Sequence, residues 1–156
     1  MHLLNNLIVS IVKILPKSVV HIFAKKYIAG TKLQDAVNVV KELNKKGIVA
    51  TLDVLGEAIK TKDEAIEEKN ECLRVLDAIN SNNIDANLSV KPTSLGLSID
   101  EQFFLDNMIE ILNKAKSYNN FVRMDMEDSP YTTATIKTFK ELQKKYDNVG
   151  IVLQAY

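Results

Sequence analysis

From residue 48 onward the chain alternates short β-branched runs with longer stretches whose apolar residues recur every three or four positions. The apolar runs predict strands at 48–55, 84–90, 121–126 and 149–156. Between them, Thr61 with Glu64 forms a capping box before a helix carrying Ile66, Leu73, Leu76 and Ile79 on one side. Ser98 with Glu101 forms a second, ahead of Phe104, Met108, Ile111, Leu112 and Ala115. Ser129 reads as an N-cap with Pro130 at the first helical position, followed by Ile136, Phe139, Leu142 and Tyr146. The residues before 48 read as helical throughout. An apolar stretch from Leu3 to Leu15 ends at Pro16, and Ser18 caps a second helix reaching about Ile28. Thr31 with Gln34 then opens a third, whose apolar positions are Leu33, Ala36, Val37, Val40 and Leu43 and which Lys45, Lys46 and Gly47 close.

Strand, loop and helix in regular succession imply parallel strands joined by right-handed crossovers. No glycine-rich phosphate loop follows the first strand, which disfavours a dinucleotide-binding doubly wound sheet and favours a barrel. The expected fold is therefore α/β, a (β/α)8 TIM-type barrel present as four strands, with 1–47 as a helical arm and 48–156 as the first half of the barrel.

Side chains alternate between the two faces of a strand, so one parity collects the polar residues. It gives Asp53, Leu55 and Glu57 on the first strand, Asn87, Ser89 and Lys91 on the second, Arg123, Asp125 and Glu127 on the third, and Val152, Gln154 and Tyr156 on the fourth. The opposite parity gives Ala86, Leu88, Val90, Val122, Met124 and Met126, suited to packing under helices. Charges on an inner face must pair, and Asp53 with Arg123 and Lys91 with Asp125 are the expected pairs. Lys91, Asp125 and Gln154 stand near the C-terminal ends of their strands, where barrels carry their chemistry. Lys91 suits an ion pair, an anion-binding cation or a Schiff-base amine; a neighbouring Asp125 favours the cation over the nucleophile. Asp125, Glu127 and Asp128 invite a metal, but only the first two share a face and Arg123 already supplies counter-charge, so no metal site is assigned. Gln154 offers a donor and an acceptor, suited to the edge of a heteroaromatic ring.

Composition narrows the partners. The 156 residues carry 20 basic and 20 acidic side chains and are 46% hydrophobic, enough for one domain with a real core and without the charge bias of a nucleic-acid binder. The lysine pairs at 25–26, 45–46 and 144–145 fall near helix ends, where cations complement the macrodipole. The single Cys72 excludes an internal disulfide, fits a reducing compartment and reads as core filler. His2 and His21 lack metal-ligand spacing. The first apolar stretch, broken by Asn5, Asn6, Ser10 and Lys13, is too short and polar to span a bilayer, and reads as an amphipathic helix that packs on the domain or touches a membrane surface.

Four segments together carry a family likeness: TLDVLGE at 51–57, SVKPTSLGL at 89–97, VRMDMEDSPYT at 122–132 and NVGIVLQAY at 148–156. In this order and spacing they resemble the first four barrel strands of proline dehydrogenase, in its monofunctional bacterial form. The resemblance implies an FAD-dependent oxidation of L-proline to 1-pyrroline-5-carboxylate, with electrons passed to a membrane quinone, in a cytoplasmic protein that touches the inner face of the membrane peripherally. By the same resemblance Lys91 helps to bind the substrate carboxylate, Asp125 orders the substrate pocket, and Arg123 and Gln154 lie against the cofactor. The later strands of that family have no counterpart here, so the chain is expected to be a fragment, to bind FAD weakly or not at all, and to be inactive by itself. Two other readings remain: a non-catalytic half-barrel that associates with a second half, and a Schiff-base aldolase using Lys91.

Overall fold

In the computed structural model, the described residues are 29–30, 32–56 and 59–154. The expected helices before residue 29 and the Thr31 cap lie outside them, as do Glu57 and Tyr156. The chain divides into two compact units, Met1–Ala36 and Val37–Tyr156, and the second holds the sheet. In order, the elements are α1 (Leu33–Asn44), β1 (Ala50–Asp53), α2 (Lys62–Ser81), β2 (Ala86–Val90), α3 (Glu101–Ser117), β3 (Val122–Met124), α4 (Ser129–Leu142) and β4 (Val149–Ile151).

The four strands form one parallel sheet in the order β1-β2-β3-β4. Together with the alternating helices this is a partial (β/α) barrel, as the strand and helix periodicities require. The register puts Leu52, Leu88, Val122 and Val149 in one row, and Asp53, Ser89, Arg123 and Gly150 in the next, on the opposite face. The first face is the core: Leu88, Val122 and Met124 are fully buried with Phe104, Met108, Ile111, Leu112 and Ala115 of α3. Burial of this kind supplies roughly 1.5–3 kcal/mol per large side chain, which is why the two periodicities agree.

The helix faces differ from the sequence reading in two places. On α2 the buried residues are Ala65, Cys72, Val75, Leu76 and Ile79, while Ile66 is exposed. On α4 they are Thr135, Thr138 and Leu142, Ile136 and Phe139 are only partly covered, and Tyr146, also partly covered, lies beyond the end of the helix. Leu76, Ile79 and Leu142 of the expected stripes are buried; at the other positions within the helices the buried residue stands one place, about 100° of helix rotation, before the apolar residue expected there.

Caps were read correctly at one helix of three. Thr61 and Glu64 form the reciprocal box at α2: the Glu64 amide donates to Thr61 Oγ1 at 3.2 Å and the Thr61 amide to Glu64 Oε2 at 3.1 Å. At α3 the cap is Asp100, which accepts from the Phe103 amide at 3.0 Å, and Ser98 is not the cap. The turn before α3 holds the chain out of helix until then, through bonds such as Gly96 to the Thr93 carbonyl and Asp100 to the Gly96 carbonyl. At α4 the cap is Asp128, and Ser129 is already helical.

The strands are shorter than the apolar runs. Ile48 and Val49 are exposed, since the ladder to β2 begins only at Ala50. Asparagines tie down the N-terminal ends of the strands. Asn44 Nδ2 donates to the Asp85 carbonyl at 3.0 Å, Asn120 Nδ2 to the Ala86 carbonyl at 2.9 Å and Asn148 Nδ2 to the Asn120 carbonyl at 3.2 Å. That end of the sheet is held by neutral amides, and two ion pairs of the sheet's polar face lie toward the other.

Candidate active site

Beyond the last ladder residues the strands continue in register for one more step. The Asp125 amide donates to the Val90 carbonyl and the Val152 amide to the Met124 carbonyl, both at 2.9 Å. Lys91 and Asp125 therefore emerge side by side at the C-terminal ends of β2 and β3, on the face away from the helices. Gln154 has the same parity farther along after β4 and is exposed.

The four charged residues named from the sequence are brought together, but they pair differently. Lys91 Nζ donates to Asp53 Oδ2, both side chains 28% exposed. Arg123 Nε donates to Asp125 Oδ1 at 3.0 Å, with side-chain exposures of 39% and 23%. The expected partners, Asp53 with Arg123 and Lys91 with Asp125, are exchanged. The register gives the reason. Asp53 and Arg123 stand on strands separated by β2, roughly 9.6 Å apart at the usual spacing, with Ser89 between them. The guanidinium meets Ser89 first, donating from Nη2 to its fully buried Oγ at 3.1 Å, and then folds along its own strand to Asp125. Lys91, two residues past Ser89, reaches diagonally back to Asp53.

Glu127, considered as a metal ligand, uses both carboxylate oxygens elsewhere. The Thr93 amide donates to Oε2 and the Thr93 hydroxyl to Oε1, each at 2.7 Å. Among the described residues no group of three histidine, cysteine or acidic side chains converges as a metal site. Cys72 is buried, and burial pushes its thiol up to about 12, with the charges of Glu68 and Asp53 adding to the effect. Such a thiol stays protonated and unreactive.

Sequence reasoning missed a carboxylate beneath this rim. Glu68 of α2 lies so close to the backbone of Gly56 that a Cβ there would come within 2.3 Å of its Cδ. Its Oε2 is buried without a hydrogen-bond partner among the described residues. Desolvation chiefly, then the charges of Glu71, Glu67 and Asp53, raise its pKa above the ordinary carboxyl value. A carboxyl with a raised folded pKa binds its proton more readily in the folded chain. Its stabilising contribution is complete below the unfolded value and is lost as pH rises through the folded one. Glu68→Gln is therefore expected to raise Tm at pH 7, with the gain over wild type closing as the pH falls to about 4. A Tm difference that holds constant with pH, or widens toward acid, would contradict this. Comparing variant with wild type cancels carboxylates of opposite sign, such as Asp77, whose pKa is lowered chiefly by Lys114.

A parallel sheet with helices against its apolar face and paired ions at the C-terminal ends of its other face defines a (β/α)-barrel protein with a polar rim. The chain matches the family model for proline dehydrogenase over residues 36–156 and belongs to that family. It is 36% identical over 133 residues to proline dehydrogenase 1 of Bacillus subtilis subsp. natto, and 32% identical over 138 residues to proline dehydrogenase of Deinococcus radiodurans. Each match takes in 85% of this chain and 44% of the relative, so the chain spans less than half the length of these curated relatives. Among solved structures, proline utilization A from Bdellovibrio bacteriovorus, inactivated by N-propargylglycine, matches with a TM-score of 0.76 and 24% identity over 85% of this chain and 17% of that one. This last likeness is one of fold.

Proposed function

We propose that this chain carries one wall of the site at which an FAD-dependent enzyme oxidises L-proline to 1-pyrroline-5-carboxylate, the electrons then passing to a quinone. The observation that carries the reading is the coincidence of the family match with the paired ions at the ends of β2 and β3. In this reading Lys91 offers its ammonium to the substrate carboxylate, and Asp125 orders the pocket around it. Arg123 and Gln154 would hold the flavin. The inner face suits such a group: Arg123 has N–H donors beyond the two that serve Asp125 and Ser89, and Asn87 leaves a buried Oδ1 without a partner among the described residues. Gln154 adds a neutral donor and acceptor able to follow the edge of a flavin ring.

A bound flavin would accept the hydride that leaves the substrate ring. What the chain contributes is binding and orientation. An ammonium facing the carboxylate fixes one end of the amino acid and turns the ring toward the cofactor. The secondary amine must give up its proton as the C=N bond forms, so a pocket that binds it neutral speeds the step. Lys91 is less suited to a Schiff base, since its ammonium is engaged by Asp53 and an amine nucleophile needs a free lone pair. Among the described residues no helix is long and apolar enough to cross a membrane. By analogy with the family, electron delivery to a quinone would use a peripheral contact.

The four strands form one side of the site, so flavin uptake by the purified chain is expected to be weak and turnover undetectable. Flavin fluorescence titrations in the presence of L-proline or D-proline test the reading. L-proline should strengthen uptake where D-proline does not, and Gln154→Ala should weaken uptake several-fold. Equal behaviour with the two enantiomers would remove the substrate assignment, and an unchanged Gln154→Ala titration would remove the cofactor assignment of that residue.

A further inference from the structure

The turn that follows Lys91 is anchored on three sides. Thr93 is held by both oxygens of Glu127, in the loop after β3. Ser94 Oγ donates to the Gly56 carbonyl in the loop after β1 at 2.7 Å, and Asn107 Nδ2 of α3 donates to the Leu95 carbonyl at 3.0 Å. Pro92 is buried, accepts from the amides of Leu95 and Leu97, and has its φ fixed by its ring. Of the three anchors, only that of Glu127 connects the segments bearing Lys91 and Asp125. Thr93 lies two residues past the first, and Glu127 two past the second.

We propose that Glu127 is a positioning residue, which through Thr93 fixes where the Lys91 ammonium stands relative to Asp53 and Asp125. Two charge-assisted bonds of 2.7 Å, donated by the amide and hydroxyl of one threonine to one carboxylate and both partly buried, leave little freedom between the two loops. Both carboxylate oxygens face Thr93, so Glu127 acts through the lysine and its loop and not on a ligand directly. A shift of about 1 Å in a substrate-binding group is enough to cost a large part of its effect. The relevance of Lys91 to a substrate rests on the function proposed above; the mechanical link does not.

The test therefore begins without flavin. Lysine amines of the purified chain, reductively methylated with a carbon-13 label, give a Lys91 resonance assigned by its disappearance in Lys91→Arg. Asp53→Asn, which removes the direct partner, sets the scale of displacement. Glu127→Ala is expected to move the resonance at least half as far, and Glu127→Gln, which can keep one of the two bonds, less than Glu127→Ala. Should Glu127→Ala fail to fold, Thr93→Val, which loses only the hydroxyl bond, is expected to move it in the same direction. A Glu127→Ala or Thr93→Val chain of lowered Tm whose Lys91 resonance stays at the wild-type position would overturn the proposal, reducing Glu127 to a structural brace. A flavin titration of the same samples separates the two ideas. Displacement of Lys91 without any response of flavin uptake to L-proline would sustain the clamp and defeat the substrate reading.

Discussion

Phe104→Ala is expected to lower the stability of the chain by about 3–5 kcal/mol, the usual cost of removing a large aromatic side chain from a closed core. Phe104 is fully buried on α3, one turn before Met108 and two before Ile111 and Leu112, all of them equally inaccessible. A cavity at that place is walled by side chains without room to collapse. Against a total stability of about 5–15 kcal/mol the loss is a large fraction, and for a chain of this length it corresponds to a fall in Tm of roughly 6–20 °C. Phe104→Leu, which keeps most of the volume, should cost less than about 1.5 kcal/mol. The effect reaches the rim as well, because Asn107, which holds the Leu95 carbonyl, is on the same helix one turn on. Thermal and urea unfolding of the three proteins would decide it. A Tm loss for the alanine variant smaller than about 3 °C would mean that the packing around Phe104 is far looser than its burial indicates.

The residues of this core were legible because periodicity alone places them: Phe104, Met108, Ile111, Leu112 and Ala115 form the stripe read from the sequence and are the buried face of α3. Where the interior uses Thr135 and Thr138 instead of the nearby Ile136 and Phe139, an apolar template points a residue away. The strand ends ran long for a related reason, since Ile48 and Val49 continue the apolar run where the ladder has no partner for them. Parity correctly gathered Asp53, Lys91, Arg123 and Asp125 on one face, yet it says nothing about which row a residue occupies or what stands between two strands. Ser89, standing between Asp53 and Arg123, decided the pairing, and it is visible only in the register. The same holds for Glu127, whose partner Thr93 lies 34 residues earlier. Locally it resembles one more carboxylate in an acidic run. The α3 cap also depended on distant contacts, because the turn that postpones the helix to Asp100 is anchored by Gly56 and Glu127.

Arg123→Met is expected to cost about 2 kcal/mol, and its pattern of coupling distinguishes the observed pairing from the one that parity suggested. Removing one partner of a fully buried ion pair costs about 3–5 kcal/mol, and the 39% exposure of the Arg123 side chain scales this down. What remains is the stranding of two groups: an Asp125 carboxylate with 23% exposure, and a Ser89 hydroxyl with none. Methionine keeps the apolar stem, so the loss measures the guanidinium more than the packing. In a double-mutant cycle with Asp125→Asn the two changes should be coupled by about 1 kcal/mol or more, whereas Arg123→Met with Asp53→Asn should be additive to within about 0.5 kcal/mol. Coupling to Asp53 larger than to Asp125 would restore the cross-strand pair and displace Ser89 from the space between them. Under the proposed function the same variant should also bind flavin more weakly. Asp53→Asn leaves the guanidinium in place and acts on Lys91, so its effect should fall on the response to L-proline while flavin uptake itself is spared. That difference between the two variants, flavin uptake through Arg123 and the L-proline response through Lys91, follows from the pairing the register imposes and not from the four charges alone.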